Sequence, residues 1–367
     1  MKRVIRKVED ILPEGWEEAA RSEGAITRSG RSVKTAGDLL KLIFLCLEEK
    51  GSYGQAAAVL QLTGEMNITK NAVYERFIKS EKWLKWMCEH ICLENRYLTE
   101  APEQLKDYRV LLVDASNASK PGSDKADVRL HYLMELFSFN MAEMHVTGGD
   151  VGESMTRYST LREKDLVIGD RAYGTQRGIR YVTETCHADY MFRMKAESFR
   201  LFEKTEDGYR IFDLKEQLKK WYAGRIVDLS LYCKGSDGEM LPLRICALGK
   251  DSKDIEKSTH QTKRSNNGKS RGKVTELQEI YNRFVVIATS LPAKITAEQI
   301  FSLYRMRWQI ELFFKQMKTI FSLDESKAKS DAAIRTWFYG KLLNVMLCEI
   351  LLQRGRFSPE AYFPEGG

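Results

Sequence analysis

The sequence contains no uninterrupted apolar run of the roughly 18 residues that a transmembrane helix requires, so we expect no membrane partner. Its first sixteen residues carry charges and no apolar core, which argues against a secretory signal and favours a cytoplasmic protein. The seven cysteines are odd in number and scattered, which is typical of reduced thiols rather than of a disulfide framework. Membrane proteins and disulfide-stabilised secreted domains are therefore excluded as classes.

Two motifs that would imply other chemistry are incomplete. Cys88 and Cys92 lie four residues apart, but no second ligand pair follows at the spacing of a zinc site, so we interpret them as packing residues. Residues 268–270 end like a phosphate-binding loop, yet Lys263 stands where the first glycine belongs and no strand precedes it. The sequence therefore predicts neither zinc nor ATP dependence.

The charge balance is moderately basic, with 58 Lys and Arg against 51 Asp and Glu and a formal net charge of +7. Such an excess suits a partner that carries phosphates, although many unrelated proteins share it. Residues 257–273 hold six basic residues and no acid, together with asparagines and glycines. We predict a flexible basic loop there, which is either a solvated surface excursion or an arm that follows a phosphate backbone.

The first hundred residues show helical periodicity. Residues 51–62 and 69–80 predict two helices around a glycine-containing turn, the pattern of a helix-turn-helix module. The second helix would expose Lys70, Asn71 and Tyr74 to DNA, and an ordinary helical packing module is the alternative. A chain of 367 residues is longer than one hydrophobic core usually supports, so we expect more than one domain. We predict that residues 1–100 form an N-terminal all-helical DNA-binding domain.

From residue 108 the pattern becomes that of an α/β domain. Short apolar strands are predicted near residues 110–113, 130–137, 143–147, 165–170 and 190–195, with helices at 152–161 and 176–186. Three strands followed by alternating helices and strands fit a ribonuclease-H-like fold. We predict its core at residues 101–195 and 291–345, a β-rich insertion at 196–290, and a C-terminal helix end and tail at 346–367.

Two of the predicted strands end in an aspartate. Asp114 follows VLLV, and Asp170 ends DLVIGD. Because ligands of α/β sheets bind at the carboxyl ends of strands, both acids could share one site, although a capping aspartate is the alternative for each alone. His131 and His145, on neighbouring predicted strands, are interpreted as structural residues.

A single long helix is predicted from Thr296 through TAEQIFSLYRMRWQIELFFKQMKTIF. At about 100° per residue, one stripe of it carries a phenol, a carboxylate and three cations. These residues are Tyr304, Arg307, Glu311, Lys315 and Lys318. A surface ladder of ion pairs would explain the charges, but it would not require Tyr304 or Trp308.

The spacing Tyr304-x2-Arg307-x3-Glu311-x6-Lys318 resembles the signature helix of the insertion-sequence-four, Tn-five-like family of bacterial DDE transposases. The segments LLVDAS and VIGDRAYG are similar to those that carry the first two catalytic acids of that family. The resemblance extends over about residues 25–354 and includes the β-rich insertion. It implies that Asp114, Asp170 and Glu311 are the catalytic acids and hold two Mg²⁺ ions, with Mn²⁺ as a substitute.

The resemblance also implies how DNA is bound and processed. Terminal inverted repeats would be nicked, closed into hairpins, reopened and joined to target DNA by a homodimer that assembles on DNA in the bacterial nucleoid. Tyr304, Arg307 and Lys318 would hold a phosphate of the non-transferred strand, with Lys315 on the same stripe. Trp308 would line the DNA or pack the helix, whereas Trp221 is interpreted as a core residue rather than as a stacking partner for a flipped base.

Two other functions stay open on the sequence. One is a metal-dependent nuclease of the same fold that cuts without joining. The other is a catalytically inactive DNA-binding protein derived from a transposase. Because similar proteins often run longer, a C-terminally shortened copy that lacks a dimerisation segment is a further alternative.

Overall fold

The computed structural model describes residues 8–27, 32–48, 51–94, 101–119, 127–138, 141–194, 199–268, 273–321, 328 and 330–356. Within these ranges helices pack on both faces of one mixed sheet. None of the described helices combines the length and the apolar character that a bilayer span demands.

The N-terminal part of the chain is helical. Its helices are α1 (Trp16–Ser22), α2 (Ala36–Leu47), α3 (Tyr53–Leu62), α4 (Lys70–Lys79) and α5 (Glu81–Glu94). Each of α2, α3 and α4 begins at a hydroxyl N-cap, since Thr35, Ser52 and Thr69 accept a hydrogen bond from the backbone of the first turn. The two helices predicted around a turn are thus confirmed as α3 and α4.

The central sheet has ten strands. They are β1 (Arg109–Ala118), β2 (Val128–Glu135), β3 (Met141–Gly148), β4 (Asp165–Gly169), β5 (Asp189–Arg193), β6 (Leu201–Thr205), β7 (Gly208–Phe212), β8 (Ile226–Lys234), β9 (Met240–Gly249) and β10 (Phe284–Thr289). Their order across the sheet is β3-β2-β1-β4-β5-β10-β9-β8-β6-β7. The five strands predicted for the core are confirmed, and the strands of residues 196–290 extend the same sheet through β10.

Four helices occupy the middle of the chain: α6 (Gln176–Arg180), α7 (Leu214–Leu218), α8 (Ser252–Gly268) and α9 (Glu276–Asn282). The loop predicted at residues 257–273 is wrong for residues 257–268, which belong to α8, and residues 269–272 lie outside the described ranges. The side chain of Asp251 accepts the backbone N–H of Asp254 at 2.8 Å and so starts this polar helix. The helix predicted at 176–186 is confirmed as α6, which continues as the π-helical turn Tyr181–Thr185.

The helix predicted at residues 152–161 is wrong, because only a short 3-10 turn, Met155–Arg157, forms there. The Ser154 hydroxyl accepts the backbone N–H of Thr156, and Glu143 accepts hydrogen bonds from Ser159 and Thr160. These local side-chain bonds replace the ladder that a helix would need.

The C-terminal part contains α10 (Ala297–Arg305), α11 (Trp308–Phe321) and α12 (Asp331–Arg356). The single helix predicted from Thr296 is wrong in that it divides between α10 and α11. There the backbone N–H groups of Met306 and Arg307 bond three residues back, to Leu303 and Tyr304, which tightens the end of α10. The sequence also predicts a last apolar helix at about residues 332–354, and this helix is confirmed as α12.

Alternation along the strands separates two apolar cores. Leu112 of β1 and Ile168 of β4 belong to the core that also contains the N-terminal helices, α11 and α12. Val113 and Val167 belong to the core on the other face. The face that carries Leu112 and Ile168 is therefore the one that α11 covers.

Candidate active site

Asp114 and Asp170 lie side by side on two parallel strands. β1 and β4 pair in register up to Val113 and Gly169. Asp114 directly follows Val113, and Asp170 directly follows Gly169. By alternation both acids share the sheet face of Leu112 and Ile168, which faces α11.

The expectation that Asp114 ends its strand is wrong. β1 continues to Ala118 because it still pairs with β2, with Asp114 opposite Tyr132. Its other neighbour β4 stops at Gly169, so Asp114 borders the sheet only on one side. The side of Asp114 towards β4 is therefore not covered by a paired strand, as would be the case at a strand end.

Arg307, at the junction of α10 and α11, joins two of the three acids. Its Nη1 atom lies 3.8 Å from Oδ2 of Asp114, and its Nη2 atom donates to Oε1 of Glu311. The side chain is only 14% exposed, and its Nε atom is buried without a hydrogen-bond partner. The guanidinium therefore serves as the counterion between an acid of the sheet and an acid of α11.

Burial and neighbouring acids perturb Asp114. The pKa of its carboxyl is raised to about 7, chiefly by burial and further by the charges of Asp170 and Glu153, while a hydrogen bond from the backbone N–H of Ala115 opposes the rise. Arg307 lowers the same pKa without cancelling these effects. Asp114 is therefore an acid that lacks sufficient positive charge around it.

Tyr304 ties the end of α10 to the end of β4. Its hydroxyl donates to the carbonyl oxygen of Gly169 at 3.4 Å, and its ring centroid lies 5.8 Å from the Arg307 guanidinium. Burial raises the pKa of the phenol, so it stays a neutral donor. Tyr304 and Arg307 are thus both next to the aspartate pair.

The remaining predicted DNA contacts of the signature lie on α11. Trp308 is 56% exposed, and Lys315 is exposed as well. The side chain of Lys318 lies outside the described residues. Trp221 is half-buried, and its indole N–H has no hydrogen-bond partner.

The predicted DNA-contact residues of α4 differ in exposure. Lys70 and Asn71 are exposed. Tyr74 is half-buried, its hydroxyl is 3.0 Å from the Ser330 hydroxyl, and its ring packs edge-on against Tyr53. Only the first two side chains are therefore free to reach a partner without rearrangement.

Three charged residues near the acids escaped the sequence interpretation. Glu153 acts on Asp114 and lies 4.0 Å from Nη1 of Arg129. Arg171, which follows Asp170, and Arg193, at the end of β5, each bury an Nε atom that has no hydrogen-bond partner. Adjacency to VIGD was an available signal for Arg171, whereas only the sheet order brings Arg193 to this edge.

The oxygen donors match the preference of hard divalent cations, and the raised pKa of Asp114 indicates a site that is short of positive charge. In the described part of the chain, however, no three His, Cys, Asp or Glu side chains are grouped closely enough to share one ion. Arg307 takes the space between Asp114 and Glu311 instead. The donors are thus of the chemical kind that a divalent cation prefers, while the contacts between Asp114 and Glu311 are made through Arg307.

Comparison with known proteins gives one consistent result. A family model described as "Transposase DDE domain" matches residues 105–347. InsL of the insertion sequence element IS186A from Escherichia coli strain K12 is 26% identical over 93% of this chain and 91% of its own length. The transposase for IS421 from Escherichia coli has the same identity and coverage. The transposase for IS231F from Bacillus thuringiensis subsp. israelensis is 23% identical over 96% of this chain and 82% of its own length.

Proposed function

The chain belongs to the DDE transposases of bacterial insertion sequences, enzymes that act on DNA, and from this premise we propose that Asp114, Asp170 and Glu311 are its catalytic acids. The observation that carries the proposal is their arrangement around Arg307, which joins Asp114 to Glu311 while Asp170 stands beside Asp114. Asp114 thus lies next to each of the other two acids, with Asp170 beside it on the neighbouring strand end and Glu311 across the Arg307 guanidinium, although the three are distant in sequence.

DDE transposase domains are in general dependent on divalent metal. We propose Mg²⁺ here, as two ions held by the three acids, with Mn²⁺ as a substitute. Bound there, the ions would lower the pKa of the attacking water or 3′-hydroxyl and stabilise the leaving oxygen. The chain's own part is to supply the oxygen donors and to move Arg307 from them.

Arg307 is suited to that move because a DNA phosphate offers its guanidinium two oxygens at once. Tyr304 donates to the same phosphate, and Lys318 adds charge from α11, with Lys315 beside it. This phosphate would belong to the non-transferred strand, and Trp308 would line the bound DNA. DNA binding and release of the acids are then one event.

The reaction is proposed as cut-and-paste transposition. Water first cleaves one strand at the transposon end, and the freed 3′-hydroxyl attacks the opposite strand to form a hairpin. Reopening of the hairpin and attack on target DNA complete the transfer. Each step exchanges one P–O bond for another, so no step requires a nucleotide cofactor.

The substrate is proposed as double-stranded DNA with terminal inverted repeats, together with target DNA, in a homodimer assembled on DNA. Lys70 and Asn71 on α4 are exposed and suited to the DNA backbone. Tyr74 would reach DNA only if it left Ser330.

The test is cleavage of a duplex that carries the flanking inverted repeat, in Mg²⁺, with products resolved on a denaturing gel. We expect strand-specific nicks and a hairpin with the wild-type protein and neither with Asp170→Asn or Glu311→Gln. Glu163→Gln, an exposed acid at the opposite edge of the sheet, is the matched control and should cleave normally. Binding without cleavage by any protein would favour an inactive DNA-binding protein, and cleavage without hairpin or joining would favour a nuclease.

A further inference from the structure

Helix α8 has one strongly basic side. Lys253, Lys257, His260 and Arg264 are all exposed, and their spacing of four, three and four residues keeps them within about 60° of one another around the helix axis. From first to last the row is about 16 Å long. The acids of α8 lie in its first turns, so the row becomes purely basic after Glu256.

The opposite side of α8 is fixed to the protein by hydrogen bonds. Thr262 donates to the side chain of Asn282 at 3.1 Å, and Asn266 donates to the side chain of Gln278 at 3.0 Å. Ser258 accepts a hydrogen bond from Lys250 at 2.7 Å. The basic row is therefore held in a fixed direction, away from the protein.

Few internal contacts neutralise the row. Lys257 lies 3.5 Å from Asp254, but both side chains are largely exposed, so this ion pair is weak. Across the described residues, no carboxylate forms an ion pair with Lys253, His260 or Arg264. A row of basic side chains with so little internal compensation is suited to an external polyanion.

The sheet places α8 on the same edge as the catalytic acids. β4 and β5 are parallel, β10 is antiparallel to β5, and β9 is antiparallel to β10, so the carboxyl ends of β4, β5 and β9 share one edge. Asp170 follows β4, Arg193 ends β5, and Lys250 follows β9 two residues before the start of α8. The distance along this edge from β4 to β9 is about 14 Å.

A line of cations connects the two places. Burial, and after it the charges of Arg193 and Arg171, together lower the pKa of Lys250 to about 8, which indicates that the three groups are electrostatic neighbours. Arg171 adjoins Asp170 in the chain. Positive charge thus extends along the sheet edge from the acids to the start of α8.

We propose that the basic row of α8 is a docking surface for the phosphate backbone of duplex DNA whose reacting phosphodiester lies at the acids. The inference rests on the proposed function and adds a DNA contact outside the signature helix. The row is comparable in length to the rise of about five phosphates of one strand. The occupant is the transposon-end duplex, which the proposed reaction brings to the acids first, and the test distinguishes it from target DNA, which presents the same phosphates.

The test compares DNA binding by the wild type with that by a triple variant, Lys253→Gln, Lys257→Gln and Arg264→Gln. A second triple variant, Lys106→Gln, Lys164→Gln and Lys294→Gln, loses the same charge from exposed positions at the opposite edge of the sheet. Affinity is measured against salt concentration with two probes, a duplex that carries the inverted repeat and a duplex of unrelated sequence. All substitutions are on the surface, and circular dichroism checks that each protein is folded.

With the α8 variant we expect at least about tenfold weaker binding near 0.1 M salt and a logarithmic salt slope smaller by about 1 to 3, whereas the control keeps the wild-type slope. Loss with the inverted-repeat probe alone assigns the surface to the transposon end, and loss with the unrelated duplex alone assigns it to the target. A variant with exchanged cations, Lys253→Arg, Lys257→Arg and Arg264→Lys, should bind like the wild type.

Unchanged binding by the α8 variant, or an equal loss in the control, would overturn the inference. If the wild type still cuts the inverted-repeat duplex in that case, the proposed function stands and only the docking surface is wrong. If the wild type neither binds nor cuts DNA, both fail together.

Discussion

At the scale of single residues, Arg307 determines the state of the site. Its guanidinium contacts Asp114 and Glu311. Its charge lowers the pKa of Asp114, but that pKa stays above its ordinary value. A cation that stronger ligands could displace is a natural counterion for acids that later hold metal. We therefore propose two roles for Arg307, as counterion of the acids before DNA binds and as phosphate contact afterwards.

Replacing Arg307 should increase the rise in melting temperature that Mg²⁺ causes in the DNA-free protein. In Arg307→Gln, Asp114 and Glu311 lose their counterion, so we expect a lower melting temperature without metal and a larger rise on adding Mg²⁺ than in the wild type. Arg305→Gln, an exposed neighbour on α10, is the control. Thermal scans without DNA measure this, and equal Mg²⁺ shifts in all three proteins would contradict the role of Arg307.

His131 should make folding sensitive to mild acid. It is fully buried, and burial, followed by Arg157, Arg129 and His145, lowers its pKa to about 3. The unfolded chain binds a proton near pH 6.5 and the folded chain does not, so stability is complete above pH 6.5 and falls towards pH 3. The slope is at most about 1.4 kcal/mol per pH unit.

Urea denaturation at pH 7.5 and pH 5.5 isolates this effect. Despite its burial, hydrogen bonds from His145, Thr160 and Ser159 lower the pKa of Glu143 to about 2, so its contribution is lost only below about pH 4.5. His131→Gln should lose much of the difference between the two pH values, while His90→Gln should keep it. A wild type of equal stability at both pH values would refute the expectation.

At the scale of elements, the start of α10 positions the signature residues. Thr296 and Gln299 form a capping box, in which each side chain accepts the backbone N–H of the other. The cap anchors the short helix that ends next to Tyr304 and Arg307. The stability that the capping box gives to α10 therefore helps to position Tyr304 and Arg307.

Replacing the cap should cost stability in proportion to the lost hydrogen bond. We expect Thr296→Ala to lower the free energy of unfolding by about 1 kcal/mol, because the backbone N–H of Gln299 loses its acceptor. Thr296→Ser keeps a hydroxyl and should be nearly neutral. Urea denaturation of both variants measures this, and equal losses would show that the methyl group matters instead.

The periodicity of apolar residues predicted those helices and strands that have a clear apolar pattern in the sequence. The strands before Asp114 and Asp170 are short apolar runs bounded by polar residues, so both acids could be located from sequence. Helix α8 could not, because its single half-buried aliphatic residue, Ile255, gives no apolar stripe and hydrogen bonds hold it instead. The division between α10 and α11 has no Pro or Gly to mark it.

Contacts between side chains that are distant in sequence could not be predicted from the sequence either. The contact of Arg307 with Asp114 depends on α11 covering one particular face of β1, which is a property of tertiary packing. Arg193 and Lys250 lie at the same edge of the sheet as the acids only because of the strand order β4-β5-β10-β9. These are the residues that extend the site beyond its three acids.

At the scale of the whole molecule, the N-terminal helices and the catalytic sheet share one apolar core. Leu39 and Ile43 of α2, Leu112 of β1 and Leu343 of α12 belong to the same buried cluster. Glu81 of α5 also accepts a hydrogen bond from Arg335 of α12 at 2.8 Å. The N-terminal helices and the sheet should therefore be stable as one unit.

Hydrogen exchange tests this shared core. We expect the slowest amides of α2 and of β1 to exchange with similar free energies, since opening either one exposes the same cluster. Exchange in α2 that is faster than in β1 by several orders of magnitude would show instead that residues 1–100 open as a separate domain.

We propose that the folded chain assembles Asp114, Asp170 and Glu311 into one catalytic unit. The most direct test is the rate of inverted-repeat cleavage by Asp114→Asn, Asp170→Asn, Glu311→Gln and their pairwise combinations, with DNA binding measured alongside. We predict that each single change lowers the rate by at least about a thousandfold without loss of DNA binding, and that pairs are no slower, because residues that act as a unit are not additive. Substantial cleavage by any single variant, or losses that multiply in the pairs, would show that the three acids do not act as one catalytic unit.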